Sequence, residues 1–333
     1  MCTGIRFTDP SGDMYFGRNL DWSTSYGEKV LVTPRQYQRR WAFAGTESDK
    51  APLREGTCKH AIIGMGIVAE NTPLYFDCAN EAGLAIAGLN FPGYASYEAK
   101  AVGGKTNVAA YEFPLWVASS FESVDEVEVA LTHTAIVAKS VDERFEVSLL
   151  HWIIGDGKRS ITVEYTEAGM QVHRNEVDVL ANQPDFAWHR ENLRNYISAS
   201  NQFPAPVIWR RAELDAWGSG SGMRGIPGDY YSPSRFVRAA YLNAHYPDQD
   251  SEAENVLRLF HTLSSVGMID GAALMSNGYF EKTIYTGGYS AKTRSYYFNT
   301  YEDPAIKYVS LAEVGANGSE LFTPEPKLWP ALA

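Results

Sequence analysis

Met1-Cys2-Thr3-Gly4-Ile5-Arg6-Phe7 opens the chain, and Met14-Tyr15-Phe16-Gly17-Arg18-Asn19-Leu20-Asp21-Trp22 follows after the punctuation Asp9-Pro10-Ser11-Gly12-Asp13. Cys2 to Phe7 alternates small and branched residues. The Asp/Pro/Ser/Gly cluster is turn chemistry, so the segment reads as strand, turn, strand, with Met14 to Asn19 on the return. That hairpin brings Arg18 and Asp21 within reach of Cys2. Methionine aminopeptidase prefers a small residue after the initiator Met, and Cys qualifies. Removal of Met1 leaves one residue with both a thiol and a free α-amine. An α-amine titrates near 8 and a thiol near 8.5, so the amine can accept the thiol proton. Nucleophile and base then sit on Cys2 alone, and no catalytic His is required. None of the seven His residues falls in a recognisable catalytic motif. A guanidinium beside a thiol favours the thiolate, and a carboxylate can hold an α-ammonium in place. By spacing alone, Met-Cys is equally an ordinary start, and Arg18 with Asp21 an ordinary surface pair.

Working outward, Lys29 to Thr33 is a strand stopped by Pro34. Ala61 to Val68 and Gly83 to Leu89 are apolar, Gly-containing runs that read as buried strands. Ser123-Val124-Asp125-Glu126 is a capping box opening a short helix through Leu131. Val147 to Ile154 and Ile161 to Tyr165 read as strands about a Gly155-Asp156-Gly157 turn. Ser232 as N-cap and Pro233 at the first helical position start a helix that runs to about His245. That places Arg235 third in the helix. Ser251 to Ser264 is a further amphipathic helix. Strands with helices clustered between them suggest a layered α+β or α/β domain. No linker divides it, so residues 1–333 are expected to form a single domain.

The net charge of −11 disfavours nucleic acid as a partner and leaves a small anionic ligand open, held by a local Arg. Three cysteines without a CxxC pair argue against a disulfide scaffold or zinc knuckle and fit a cytoplasmic protein. No apolar run reaches the roughly 18 residues of a membrane span. No signal peptide is visible.

The hairpin motifs also carry a resemblance. Met1-Cys2-Thr3-Gly4, then Phe16-Gly17-Arg18-Asn19-Leu20-Asp21, resembles the choloylglycine hydrolase family, the bile salt hydrolases and penicillin V acylases among the N-terminal-nucleophile hydrolases. Asn80-Glu81-Ala82-Gly83-Leu84 with Ala87-Gly88-Leu89-Asn90-Phe91-Pro92, Leu180-Ala181-Asn182-Gln183-Pro184, Gly225-Ile226-Pro227-Gly228-Asp229 with Ser232-Pro233-Ser234-Arg235-Phe236, and Phe298-Asn299-Thr300-Tyr301 are similar to further blocks of that family. They occur in the family's order across nearly the whole chain, and together they are very specific.

The resemblance implies a four-layer αββα fold with two antiparallel sheets between helices. It implies that Cys2 is the nucleophile and, through its amine, the base. Arg18 and Asp21 then support thiolate and amine. The Asn182 side-chain amide and the Asn90 backbone N–H form an oxyanion hole, and Arg235 helps to order the site. It implies amide hydrolysis through an acyl-enzyme, with no metal and no organic cofactor. The implied substrates are glycine- or taurine-conjugated bile acids, the assembly a homo-oligomer, and a tetramer by family expectation. Asn90 stands where typical penicillin V acylases carry Tyr, which favours bile salts over penicillin V or N-acyl homoserine lactones. A non-enzymatic bile-acid or lipid-binding protein on the same scaffold is the reading from another class. Two departures stand out: Ala181 replaces the family's Thr, and the stretch from Arg39 to Lys59 is longer than expected.

Other features read as structural. Gly220 to Gly225 fits GxGxxG, but Ile-Pro-Gly-Asp follows instead of a helix, so it reads as a loop. In the family that region reaches into subunit contacts. Cys58 and Cys78 read as packed residues, and His151 and His261 as core or edge residues. Trp22, Phe43, Phe91 and Tyr94 are pocket candidates for which packing is the default.

Overall fold

The computed structural model describes residues 1–43 and 56–330. Much of the Arg39 to Lys59 stretch therefore lies outside the described residues. The opening hairpin forms as expected, β1 (Cys2–Thr8) against β2 (Met14–Trp22), with Gly12 at φ +89° in the turn. β3 (Lys29–Thr33) matches the sequence boundary, and β4 (Ile62–Ala69) and β6 (Ala85–Asn90) flank β5 (Thr72–Asn80). Next come α1 (Phe113–Ser120), α2 (Val124–Leu131), β7 (Leu150–Gly155), β8 (Ser160–Thr166) and β9 (Gly169–Asn175). The chain continues with β10 (Val179–Leu180), α3 (Phe186–Asn192), α4 (Ser232–His245) and α5 (Glu252–Ser264). β11 (Phe280–Ser290), β12 (Ser295–Thr300), β13 (Lys307–Ser310) and β14 (Lys327–Leu328) complete it.

Two antiparallel sheets result. One runs β10-β1-β2-β11-β12-β13-β14, the other β9-β8-β7-β6-β5-β4-β3. Strand alternation shows how they are covered. In β6, Ala85, Ala87 and Leu89 point to the core shared with the first sheet, whereas Ile86 joins a second core with α1 and α2. In β7, Ile153 faces the first core, and Trp152 and Ile154 the second. Such strands are covered on both faces, which explains why they read as continuous apolar runs. α4 and α5 pack on β1, β2 and β11 from the far side. The order is helices, sheet, sheet, helices: the four-layer αββα sandwich.

Several local expectations shift. Ser123 caps α2 by accepting from the Glu126 N–H, but the Glu126 carboxylate accepts from Glu122 N instead of returning to Ser123 N. The capping box closes fully at α5, between Ser251 and Glu254. β7 starts at Leu150 rather than Val147. In α4, Ser232 is the first helical residue and caps nothing; Tyr231 is the N-cap, and Arg235 falls fourth. The Ser232 hydroxyl is engaged elsewhere, as the site shows.

Candidate active site

Cys2 begins β1, where its Cα partner is Leu20, and Arg18 pairs with Gly4. Directly opposed residues share a face, so Cys2 and the diagonal Arg18 both point toward the second sheet. Arg18 Nη2 donates to Cys2 Sγ at 2.7 Å, and Nη1 lies 3.4 Å from the Tyr285 hydroxyl. Behind the guanidinium, Asp77 of β5 accepts from Tyr285 (2.5 Å) and Tyr296 (2.6 Å), with Arg18 Nη1 3.9 Å away. Burial alone would lower the Arg18 guanidinium, but Cys2, Tyr285 and Asp77 around it raise it above its ordinary value. Burial likewise pushes Asp77 up, against Arg18 and the two tyrosine hydrogen bonds.

Asp21 is one residue out of phase and points to the opposite face, toward α4. Thr283 donates to its Oδ1 at 2.6 Å, and Arg235 Nη1 lies 3.9 Å from Oδ2. That buried Oδ2 accepts no hydrogen bond among the described residues. Arg235 donates to Cys2 O (2.5 Å), Thr3 Oγ1 (2.6 Å) and Asn182 Oδ1 (2.7 Å). Met1 still precedes Cys2 and adds a rung to the hairpin, exchanging backbone bonds with Asp21 at 2.7 and 2.9 Å. Its ammonium also pairs with Glu281.

Asn182 joins the two sheets. Its Oδ1 accepts from Cys2 N at 2.7 Å, and its Nδ2 donates to the Asn90 carbonyl at 2.7 Å. Its backbone N–H goes to Ser232 Oγ (3.0 Å), and its carbonyl accepts from His189 Nε2 (2.8 Å). Burial holds His189 down at about 4, so its ring is neutral. The side of Asn90 that meets the site follows from the ladder. Phe91 N donates to Leu149 O, so Phe91 faces β7 and Asn90, one residue earlier, presents its N–H and C=O to the other side. The β5–β6 register ends at Asp77–Ala87, short of Asn90.

The other five expected residues, Arg18, Asp21, Asn90, Asn182 and Arg235, therefore gather around Cys2. Arg18, Asp21, Asn182 and Arg235 are fully buried, and Cys2 is 3% exposed. A cavity of about 460 Å³ opens over Cys2, Arg18, Asp21 and Asn90, with walls that include Trp22, Ile67, Leu74, Phe76 and Pro92. Trp22 is thus a wall residue, whereas Phe91 packs on His151. Sequence reasoning missed Asp77, Thr283, Tyr285, Tyr296, Ser232 and His189. Gly287-Gly288 was an available signal, since paired glycines inside a strand mark close approach.

Of the two histidines read as core or edge residues, His151 is buried and His261 is exposed. Gly220 to Gly225 forms a loop around one turn, Ser221–Met223. Cys58 and Cys78 are buried, and burial raises both thiols, Cys58 to about 12. Among the described residues, no group of three or more His, Cys, Asp or Glu side chains is placed to hold a metal, and no helix is long and apolar enough to cross a membrane.

An N-terminal-nucleophile sandwich with a buried thiol–guanidinium pair under an apolar cavity has clear relatives. The chain belongs to the choloylglycine hydrolase family of linear amide C–N hydrolases, whose model matches residues 2–324. It is 58% identical to a bile salt hydrolase/transferase of Bifidobacterium longum subsp. longum, covering 97% of this chain and 99% of that one. It is 43% identical to a conjugated bile acid hydrolase of Lactobacillus gasseri, covering 97% and 100%. The crystal structure of a mutant conjugated bile acid hydrolase from Clostridium perfringens superposes with a TM-score of 0.88 at 34% identity, over 98% and 97% of the two chains. The protein is accordingly an amidase.

Proposed function

We propose that this amidase hydrolyses glycine- or taurine-conjugated bile acids, with Cys2 as the nucleophile after removal of Met1. The observation that carries the reading is the Cys2 thiol, 2.7 Å from Arg18 Nη2, on the floor of a largely apolar cavity of about 460 Å³. Such walls suit a steroid, and the bond to be cut would sit at the polar floor.

The Cys2 α-amine, held by Asn182 Oδ1 and supported by the Asp21 carboxyl group of the adjacent strand, takes the thiol proton. Arg18 stabilises the thiolate as it adds to the amide carbonyl. Asn182 Nδ2 has two hydrogens; one is committed to Asn90 O, and the other is available to the tetrahedral oxyanion. The Asn90 N–H is the second donor. The α-ammonium then protonates the leaving glycine or taurine nitrogen as the C–N bond breaks. Water enters and gives a proton to the amine as its oxygen adds to the acyl carbonyl; the C–S bond then breaks, releasing the bile acid and returning the Cys2 thiolate to Arg18.

Ile197, Phe203, Ile208, Trp209, Trp217 and Tyr231 are all exposed, in the stretch of chain that carries the short hairpin Val207–Trp209 and Ala212–Leu214. Such surface supports a homo-oligomer, and a tetramer is the expected order, measurable by light scattering. Reduced thiols support a cytoplasmic location. A single domain over 1–333 accords with the shared core between the sheets.

The deciding experiment is kcat/KM for glycocholate, taurocholate and penicillin V under reducing conditions. A preference of 100-fold or more for the bile salts, about 2.7 kcal/mol of transition-state discrimination, is expected. The reverse preference would keep the Cys2 mechanism and make penicillin V the substrate. No turnover of any of the three would overturn the bile-salt reading and favour another acyl amide as substrate or a binding protein on the same scaffold.

A further inference from the structure

His151 lies fully buried on β7, outside the residues so far given a role. It is paired with Leu89, and Phe91 follows two residues on along β6, so all three side chains share the face toward the first sheet. The imidazole stacks on the Phe91 ring with centroids 4.0 Å apart and planes 8° from parallel. Its Nε2 lies 2.8 Å from the Ala181 carbonyl, across the gap between the sheets. Its Nδ1 lies 3.0 Å from Glu164 Oε1. A carbonyl can only accept, so Nε2 carries a hydrogen. Glu164 is itself fixed, since both its oxygens accept from Phe186 N at the start of α3, and His173 Nε2 stands 3.7 Å from Oε2. The ring therefore has one orientation, set at both nitrogens and on one face.

Its two attachments are next door to the two oxyanion donors. Ala181 O belongs to the peptide group whose N–H is that of Asn182, and that N–H is bound by Ser232 Oγ. The following peptide is held through His189. Phe91 follows Asn90 directly. We propose that His151 is a positioning residue for hydrolysis: one rigid ring, oriented by Glu164, sets the spacing between the Asn182 side chain on the first sheet and the Asn90 N–H on the second. This inference rests on the oxyanion role given to those two residues. The contact is made by the backbone carbonyl of residue 181, so it does not depend on the hydroxyl that Ala181 lacks.

The experiment is a double-mutant cycle with glycocholate as substrate. Losing a whole oxyanion donor costs about 10²–10³ in rate, so losing its placement should cost less. His151→Leu removes both hydrogen bonds while keeping an apolar side chain, and should lower kcat about 10- to 100-fold with KM within about twofold. His151→Gln, which retains an N–H for Ala181 O, should recover at least about fivefold of that loss. On an Asn182→Ala background, His151→Leu should cost less than about threefold further, because the donor it places is gone. The proposal is overturned if His151→Leu alone stays within threefold of the parent, or if its full factor persists on the Asn182→Ala background, as general damage would. Asn182→Ala within threefold of the parent would instead refute the oxyanion reading itself, whatever His151 does. Should His151→Leu fail to fold by circular dichroism, Glu164→Leu carries the same cycle under the same criteria, since it removes the hydrogen-bonding partner of Nδ1 and leaves the ring.

Discussion

Replacing Gly287 with Ala tests how Arg18 is held. Gly287 lies on β11, opposite Arg18 in register, on the strand that supplies Tyr285. The Tyr296 ring crosses over it to reach Asp77. A Cβ built at Gly287 would overlap the Tyr296 hydroxyl and lie 3.0 Å from Cζ of that ring and 3.1 Å from Cε2 of Tyr285. The backbone there is ordinary extended strand, so the argument is space alone. The tyrosine must withdraw, and Asp77 loses one of its two hydroxyl donors while remaining buried. A hydrogen bond to a charged group contributes about 1.5–3 kcal/mol, and overpacking a filled core costs about 1–3 kcal/mol more. Destabilisation of about 2.5–6 kcal/mol follows. For a chain of this length that is a fall in melting temperature of roughly 4–9 °C. The freed carboxylate also draws on Arg18, which must serve both Asp77 and Cys2 Sγ, so kcat should fall at least about tenfold with KM little changed. Thermal unfolding and glycocholate turnover of the purified variant check both parts. The double variant G287A/Y296F removes the overlapping hydroxyl, so it should regain stability over G287A alone but not activity. A fully stable, fully active G287A would refute the argument that Tyr296 and Asp77 position Arg18.

Replacing Cys2 with Ala should abolish hydrolysis and leave melting within a few degrees of the parent; measurable turnover would remove Cys2 as the nucleophile. Asn182→Ala should lower kcat by about 10²–10³, and a loss under threefold would exclude its oxyanion role. His189 gives a pH dependence with a defined sign. Its folded value of about 4 lies below the ordinary 6.5, because burial disfavours the charged ring. The unfolded chain therefore binds more protons between those limits, and the stability His189 contributes is fully present above pH 6.5 and is lost as pH falls toward 4. The gap corresponds to roughly 3 kcal/mol. Glu112, pushed up to about 7 by burial, works the other way, its contribution present below about 4.5 and lost as pH rises through about 7. Urea unfolding of parent and His189→Gln from pH 4 to 7 should give curves that converge toward the acid end; parallel curves would show that the ring is not held neutral.

The parts legible in the sequence are those whose cause is local. The β1–β2 hairpin follows from period-two patterning and one turn cluster, and it carries Cys2, Arg18 and Asp21 within twenty residues. β3, α2 and α5 follow from Pro34, Ser123 and Ser251. Asn182 and Arg235 have no local signature, and only the family's motifs pointed to them. What stayed hidden is the set of partners distant in sequence. Asp77 meets Tyr285 across 208 residues and Tyr296 across 219. Ser232 shows a different limit. Ser-Pro at a helix start is a capping signal, and here the hydroxyl accepts from Asn182 N fifty residues away, so Tyr231 becomes the cap.

The placement of charge bears on the proposed double role of Cys2 as nucleophile and base. β1 lies between two buried ion pairs on opposite faces of the first sheet. Arg18 and Asp77 stand on the inner face, and Arg235 and Asp21 on the helix face, at 3.9 Å in each pair. Two guanidinium groups thus face two carboxyl groups across the strand, although the chain as a whole carries −11. Proton transfer from the Cys2 thiol to its own amine adds one negative and one positive charge and changes no total. Strand geometry separates the two new charges: the thiolate projects from the strand onto Arg18, while the ammonium, at the strand end, meets Asn182 Oδ1. Each new charge thus meets groups already aligned for it, which avoids the desolvation penalty of an isolated buried ion. The same logic makes Met1 an obstacle as well as a block on the amine. While it remains, Cys2 N is an amide that can only donate, Asp21 is tied to the Met1 backbone, and the thiol has no base beside it.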